Sequence, residues 1–204
     1  AYNIYLLTPP FALTDQMDRA NEIAKHVHGY DVLIFSEAFY NSARNTLQNA
    51  LRPEYPYITA VVDNGILNDD GGVFMASRHP ILASDQMVFD NCNGTDCLAA
   101  KGVMYVKIVK NGRPFHIFGT HTQAWNTAGD VATRLLQFQE LEQFVQQQNI
   151  ASNEALVIGG DLNVDKMLNN LGEYDGMLDS LQLVEPHYSG QVYTYDNSLS
   201  YYAS

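Results

Sequence analysis

Residues 156–164 read LVIGGDLNV, an apolar run that breaks into two glycines and then presents Asp161 and Asn163 with one residue between them. A short apolar run bounded by glycines is typical of a buried strand. The polar end has two interpretations that this segment alone leaves open. Gly-Gly-Asp readily forms a turn, because an Asp side chain can bond its own backbone, but a rigid strand end can also hold an acid and an amide in place for chemistry.

Apolar runs elsewhere in the chain predict further strands, and their alternation with helical patterns predicts an α/β fold. The strands are expected at residues 2–7, 31–37, 57–62, 71–77, 102–109, 115–120 and 155–160. Asn111-Gly112 separates two of these runs and is a strong signal for a β-hairpin. A hairpin argues against a purely parallel sheet, so we expect mixed sheets in a sandwich of layers.

Apolar residues at helical spacing predict three helices. The first covers residues 15–28, starts with Thr14 or Asp15 as its cap, and carries the stripe Met17, Ala20, Ile23, Ala24 and Val27. A long second helix carries Val131, Leu135, Phe138, Leu141 and Val145, and a short third helix is expected near residues 173–182.

Composition limits the classes of protein that the chain can belong to. Its 204 residues are 46% hydrophobic, which suits a single α/β domain spanning residues 1–204. The formal net charge of −12 repels nucleic acid, so a DNA-binding module is disfavoured. Cys92 and Cys97, in NCNGTDC, are too few for a zinc finger but can close a small disulfide loop, which indicates an exported protein.

Chemistry-capable side chains stand at four predicted strand ends: Asn3, Glu37, His121, and the pair Asp161 and Asn163. A carboxylate at the end of a buried strand must be paired, protonated or bound to a cation. Oxygen ligands of these types suit a hard cation such as magnesium, which also binds phosphate. Taken alone, Glu37 is more often a cap or turn former and His121 a structural histidine, whereas GGDLN is about as often a turn as a site. Their recurrence at four strand ends is what indicates a phosphoester site.

The motifs YNIYLL, SEAF, DDGGVFMASRHPI, KGVMYVKI, GTHTQA and GGDLNV occur in the order seen in the endonuclease/exonuclease/phosphatase superfamily, whose type fold is DNase I-like. GTHTQA and GGDLNV most resemble the bacterial neutral sphingomyelinases, also called sphingomyelinase C. The resemblance covers essentially the whole chain. It implies a four-layer α/β sandwich of two packed mixed sheets flanked by helices, with the site at one edge of the sheets.

The resemblance also implies catalytic roles. Glu37 matches the principal magnesium ligand, with Asn3 beside it. His121 matches the histidine that donates to the phosphoryl oxygens in the transition state. Asp161 and Asn163 match the pair that orients the attacking water, binds phosphate and reaches a second metal. Manganese or cobalt are alternatives to magnesium.

A second, lateral metal site is implied at Asn41 and Asp70, with Asp69 sharing it. In the family this site serves attachment to membranes and takes no part in the chemistry.

The implied reaction is hydrolysis of sphingomyelin to ceramide and phosphocholine by a secreted, monomeric enzyme at a membrane surface, with no nucleic-acid partner. Two alternatives remain open at this point. One is another phosphoesterase of the superfamily, either a nuclease or a phosphoinositide phosphatase. The other is a non-catalytic lipid-binding remnant.

One departure from the family pattern concerns a late Asp-His pair, whose histidine is the general base in the family. No such pair occurs before Ser204. We therefore expect the 204-residue chain to be truncated, to lack its last strands, and to be inactive or nearly so.

Three further residues have two interpretations each. Lys101 either approaches a phosphate or lies on the solvent face of a strand start. Arg134 either pairs with an acid near the site edge or is exposed on its helix. Trp125 either contacts lipid or choline through its ring or packs internally, and we favour packing slightly.

Overall fold

The computed structural model describes residues 1–11, 15–65, 69–167, 172–185, 187 and 189. The strands are β1 (Tyr2–Asn3), β2 (Val32–Ser36), β3 (Tyr57–Ile58), β4 (Phe74–Ser77), β5 (Ile81–Val88), β6 (Gly102–Lys110), β7 (Arg113–His121) and β8 (Ala155–Asp161). The helices are α1 (Gln16–His26), α2 (Asn41–Leu51), α3 (Ala128–Gln147) and α4 (Glu173–Ser180), and a 3-10 helix covers Gly94–Leu98.

Two four-stranded mixed sheets form the centre of the fold, in the orders β1-β2-β4-β3 and β5-β6-β7-β8. Each sheet contains one parallel pair, β1 with β2 and β7 with β8, and its other pairs are antiparallel. The α/β sandwich of two mixed sheets expected from the sequence is confirmed. The Asn111-Gly112 hairpin between β6 and β7 is also confirmed, with positive φ angles of 51° and 74°.

Strand alternation explains the layers. In β2, Leu33 and Phe35 pack with the α1 and α2 residues, whereas Ile34 points to the opposite face and joins the cluster between the sheets. In β7, Phe118 packs with the α3 and α4 residues, whereas Ile117 faces the other sheet. The order of layers is therefore α1 and α2, first sheet, second sheet, then α3 and α4.

The structure differs from the sequence expectations at several elements. The first and third predicted strands shrink to the two-residue strands β1 and β3. On α1, Met17 is 41% exposed and Gln16 is buried in its place, so the predicted stripe is wrong at that position. The alternative cap Thr14 lies outside the described residues. The sequence analysis missed α2 and β5. Within the described residues, no helix combines the length and apolar character needed to cross a bilayer.

Candidate active site

Strand register brings the predicted site residues to one edge of the molecule. In the first sheet Asn3 aligns with Ser36, so Glu37 follows directly at the strand end. In the second sheet His121 aligns with Asp161 across the parallel pair β7 and β8. Both parallel pairs end at this edge, which is where α/β folds place their ligands.

Gly160 explains why the second glycine of the opening motif is needed. Its φ is +137°, and a Cβ built there would lie 1.9 Å from the carbonyl oxygen of Thr120. Only glycine lets β8 approach β7 this closely at the residue before Asp161. Gly159, Gly160 and Asp161 all lie within β8, so the glycine sets the backbone of the strand and Gly-Gly-Asp does not form a turn here.

Asn3 links the two sheets across the site. Its side-chain nitrogen donates to Oε1 of Glu37 at 2.7 Å and to Oδ2 of Asp161 at 2.9 Å. Its amide oxygen accepts from the backbone N–H of Tyr5 at 3.2 Å. Asn3 is therefore a donor to the two carboxylates in this structure, and it would have to turn its amide oxygen inward to become a metal ligand.

Glu37 lies in the left-handed backbone region, with φ of 57°. Burial raises the pKa of this carboxyl above its usual range, while the hydrogen bond from Asn3 opposes that rise and the nearby Asp161 adds to it. Two carboxylates held close together in a buried site repel each other when both are ionised, so a bound cation is favourable there. Functional sites commonly hold such backbone strain.

His121 is 2% exposed. Burial, followed by the positive charge of Lys101, lowers its pKa to about 3. The ammonium of Lys101 lies 3.3 Å from Nε2, and because an ammonium can only donate, Nε2 accepts and the ring proton belongs on Nδ1. Nδ1 is buried and makes no hydrogen bond to the described residues. A neutral histidine is thus held with an unused donor.

Sequence reasoning found no signal for Asp96, and it left Lys101 open between approaching a phosphate and lying on a solvent face. Lys101 is buried, so its placement on a solvent face is wrong, and it donates to Asp96 at 2.7 Å and to the carbonyl of Thr122 at 3.0 Å. The same Oδ2 of Asp96 accepts from the N–H of Ala124 at 2.7 Å. The signal was not local, because Lys101 reaches His121 only through the pairing of β6 with β7.

The disulfide between Cys92 and Cys97 is present and closes the loop that carries Asp96. The sequence analysis had left this pairing as a possibility.

Asn163 extends the site beyond β8. Its backbone N–H donates to Oδ1 of Asp161 at 3.2 Å, and its side-chain Nδ2 donates to the carbonyl of Thr122 at 3.0 Å. Its φ is 50°, a conformation that asparagine tolerates better than most residues. These contacts fix Asn163 next to Asp161 and leave its catalytic role as a proposal.

The lateral cluster, defined here as Ala38, Asn41, Arg44 and Asp70, holds a positively charged side chain at the place where the resemblance implies a metal site. The guanidinium of Arg44 lies 2.8 Å from Oδ2 of Asp70 and also donates to Oδ1 of Asn41. Asp69, by contrast, is exposed and pairs through its backbone with residues 98 and 100. A divalent ion does not fit between Asn41 and Asp70 while the guanidinium lies there.

Arg134 and Trp125 lie next to the loop that follows His121. Arg134 is 0% exposed and pairs with Glu173, so its placement on an exposed helix position is wrong and its pairing with an acid is confirmed. It also donates to the carbonyl oxygens of Gln123 and Trp125. Trp125 is 70% exposed with φ of 67°, so the internal packing that we favoured is wrong.

The donor atoms of the edge fit a metal ion. Glu37, His121 and Asp161 each offer one ligand atom, and these atoms lie within 4.8 Å of one another. The two carboxylates suit a divalent cation that keeps other positions open for water and substrate, whereas the nitrogens of His121 are taken by Lys101 and by the ring proton. The geometry therefore brings together four of the predicted residues, with Asn163 adjoining them.

Several known proteins are similar to this chain in sequence and in structure. The chain is 37% identical over 217 residues to sphingomyelinase C of Listeria ivanovii, an alignment covering 96% of this chain and 64% of that protein. A β-hairpin deletion mutant of beta toxin from Staphylococcus aureus superposes with a TM-score of 0.92 at 34% identity, covering 99% of this chain and 78% of the toxin chain. Beta toxin carrying F277A and P278A, with bound magnesium ions, gives a TM-score of 0.90 at 34% identity, covering 97% and 74%.

The chain thus spans about two thirds of the length of the Listeria relative that it matches. The profile of the Endonuclease/Exonuclease/phosphatase family matches residues 1–197. With this match, the relatives and the edge geometry, the chain belongs to the Endonuclease/Exonuclease/phosphatase family.

Proposed function

We propose that the protein is a metal-dependent phosphodiesterase that hydrolyses sphingomyelin to ceramide and phosphocholine. The convergence of Glu37, His121 and Asp161 at the shared edge of two sheets is the observation that carries this proposal. The choice of substrate rests on similarity to proteins named sphingomyelinase C. The reaction adds water to phosphorus and breaks the bond between phosphorus and the ceramide oxygen.

Magnesium is the proposed ion, with manganese or cobalt as substitutes. Its ligands would be Glu37 and Asp161, with Asn3 joining after its amide turns and Asn163 reaching a second ion. The hard oxygen donors favour magnesium, and a similar structure contains bound magnesium ions. A bound divalent cation would neutralise charge on the phosphoryl oxygens and polarise the attacking water.

The described side chains bind, orient and stabilise charge in this proposal, and the late histidine base of the family pattern is not among them. His121 stays neutral and donates Nδ1–H to a phosphoryl oxygen, where negative charge grows in the transition state. Lys101 holds the ring by donating to Nε2. Asp161 and Asn163 orient the water, since both project from the end of β8 with linked hydrogen bonds.

The proposed setting is outside the cell, as a monomer acting on membranes that contain sphingomyelin. The Cys92–Cys97 disulfide supports an oxidising compartment. The net charge of −12 supports a partner other than nucleic acid.

The test measures release of phosphocholine from sphingomyelin vesicles by the full-length protein, with magnesium and again with EDTA. Duplex DNA and phosphoinositides serve as competing substrates in the same buffers. Release that requires the metal and far exceeds turnover of the other two substrates supports the proposal. Faster cleavage of DNA or phosphoinositides, or equal release in EDTA, contradicts it.

A further inference from the structure

The lateral cluster contains three different oxygens around one buried guanidinium. Arg44 Nη1 donates to the carbonyl of Ala38 at 2.5 Å and lies 2.8 Å from Oδ2 of Asp70, while Nη2 donates to Oδ1 of Asn41. The side chain of Arg44 is 8% exposed and that of Asp70 is 13% exposed. The arginine is therefore held inside the cluster, away from the bulk solvent.

A carboxylate, a side-chain amide oxygen and a backbone carbonyl form the kind of donor set that binds hard divalent cations. In this chain the negative potential of these oxygens is balanced by the guanidinium of Arg44. A second cation at the same place would lie a few ångströms from the guanidinium in a poorly solvated environment, where like charges repel strongly. The cluster can hold the arginine or an ion, but not both.

Backbone contacts connect the lateral cluster to the active site. Ala38 follows Glu37 directly, and its N–H donates to the carbonyl of Gly72 at 3.0 Å. The N–H of Gly72 in turn donates to Oδ1 of Asp70 at 3.0 Å. Arg44 contacts both Ala38 and Asp70, so its positive charge links the segment that follows β2 to the segment that carries Asp70 and Gly72. The same charge thus braces the connection that presents Glu37.

We propose that Arg44 is a built-in cation that takes the place of a lateral divalent ion in this chain. In the lateral cluster, the oxygens of Ala38, Asn41 and Asp70 bind the guanidinium in place of a metal ion. Removing the guanidinium turns the cluster into a divalent-cation site. This inference concerns the cluster alone and is independent of which substrate the enzyme hydrolyses.

The experiment counts bound Mn²⁺ per chain by electron paramagnetic resonance in the wild-type protein, in Arg44→Ala and in Arg44→Lys. Arg44→Ala frees the three oxygens, so we expect it to bind one more ion than the wild type. Arg44→Lys is the matched control, because its ammonium keeps a positive charge in the cluster, and it should bind the same number as the wild type. Circular dichroism establishes that each variant is folded.

A second pair of variants assigns the additional ion to the cluster. Asp70→Asn in the wild-type background should leave the Mn²⁺ count unchanged, whereas Asp70→Asn added to Arg44→Ala should remove the extra ion. A folded Arg44→Ala protein that binds no additional ion overturns the proposal. Loss of one bound ion when Asp70→Asn is made in the wild-type protein also overturns the proposal. If Arg44→Ala does not fold, the Mn²⁺ counts of the wild type and of Asp70→Asn decide whether the proposal holds.

Discussion

Two oxygen-rich clusters flank the short connection from β2 to α2, and they neutralise charge differently. At the active site Glu37 and Asp161 are joined by the uncharged amide of Asn3, while the ammonium of Lys101 is directed to Asp96 and His121. At the lateral cluster the guanidinium of Arg44 contacts Asp70 directly. Similar oxygen donors are therefore left without a bridging cation at the active site and are bridged by one in the lateral cluster.

The largest effect expected at the active-site cluster is on turnover. Asp161→Ala should lower turnover about 10³-fold or more, because it removes a proposed metal ligand and the group proposed to orient the water. Phosphocholine release from vesicles measures the change. Asp165→Ala, an exposed acid four residues later, is the control and should retain activity. Near-normal turnover in a folded Asp161→Ala protein would exclude the assigned role.

The two clusters should differ in stability when metal is removed. In EDTA, Asp70→Asn should lower the free energy of unfolding by about 3 kcal/mol, since leaving the buried Arg44 without its carboxylate outweighs the burial that raises the pKa of Asp70. Glu37→Gln should leave it unchanged or raise it by up to about 1 kcal/mol, because burial already disfavours the charged form of Glu37. Urea denaturation of the two variants measures both values. Equal losses would remove the distinction between the clusters.

The buried His121 predicts a pH dependence that the lateral cluster does not share. Its pKa is lowered to about 3 when folded, against about 6.5 when unfolded, so the unfolded chain binds a proton first as the solution is acidified. The stabilising contribution is full above pH 6.5 and is lost as the pH falls toward 3.

Between pH 6.5 and pH 5 this loss should amount to about 2 kcal/mol in the metal-free protein. His121→Gln has no titrating ring and should lose correspondingly less over the same interval. Urea denaturation at both pH values measures the difference. An identical pH dependence in the two proteins would show that His121 is not held neutral.

The smallest expected effect concerns Trp125, which lies on the loop after His121 and is exposed to solvent. Tryptophan favours the interface of a bilayer, so Trp125→Ala should weaken binding to sphingomyelin vesicles about fivefold, corresponding to about 1 kcal/mol. Tyr30→Ala is the matched control, because Tyr30 is 59% exposed but precedes β2, at the end opposite to Glu37. Sedimentation with vesicles compares the two, and equal binding by both variants would contradict a membrane role for Trp125.

Elements with a strong local pattern could be predicted from the sequence. The hairpin of β6 and β7 has long apolar strands around Asn111-Gly112, and α3 has a regular apolar stripe. By contrast β5 is mostly exposed along its length, so it lacks the apolar alternation that marks a strand. The buried positions of α2 include only two large apolar residues, Leu47 and Leu51, whereas those of α3 include four.

The residue types at the strand ends were fixed by the sequence alone. Asn3, Glu37, His121 and Asp161 follow apolar runs that become strands, so their arrival near one edge followed from local pattern and chain direction. Only the tertiary structure determined which positively charged side chain contacts each acidic side chain. Lys101 turns to His121 through β-sheet pairing, and Arg44 turns inward to Asp70 across two segments that are distant in sequence. Electrostatic partners depend on distances between segments, and local sequence patterns do not encode those distances.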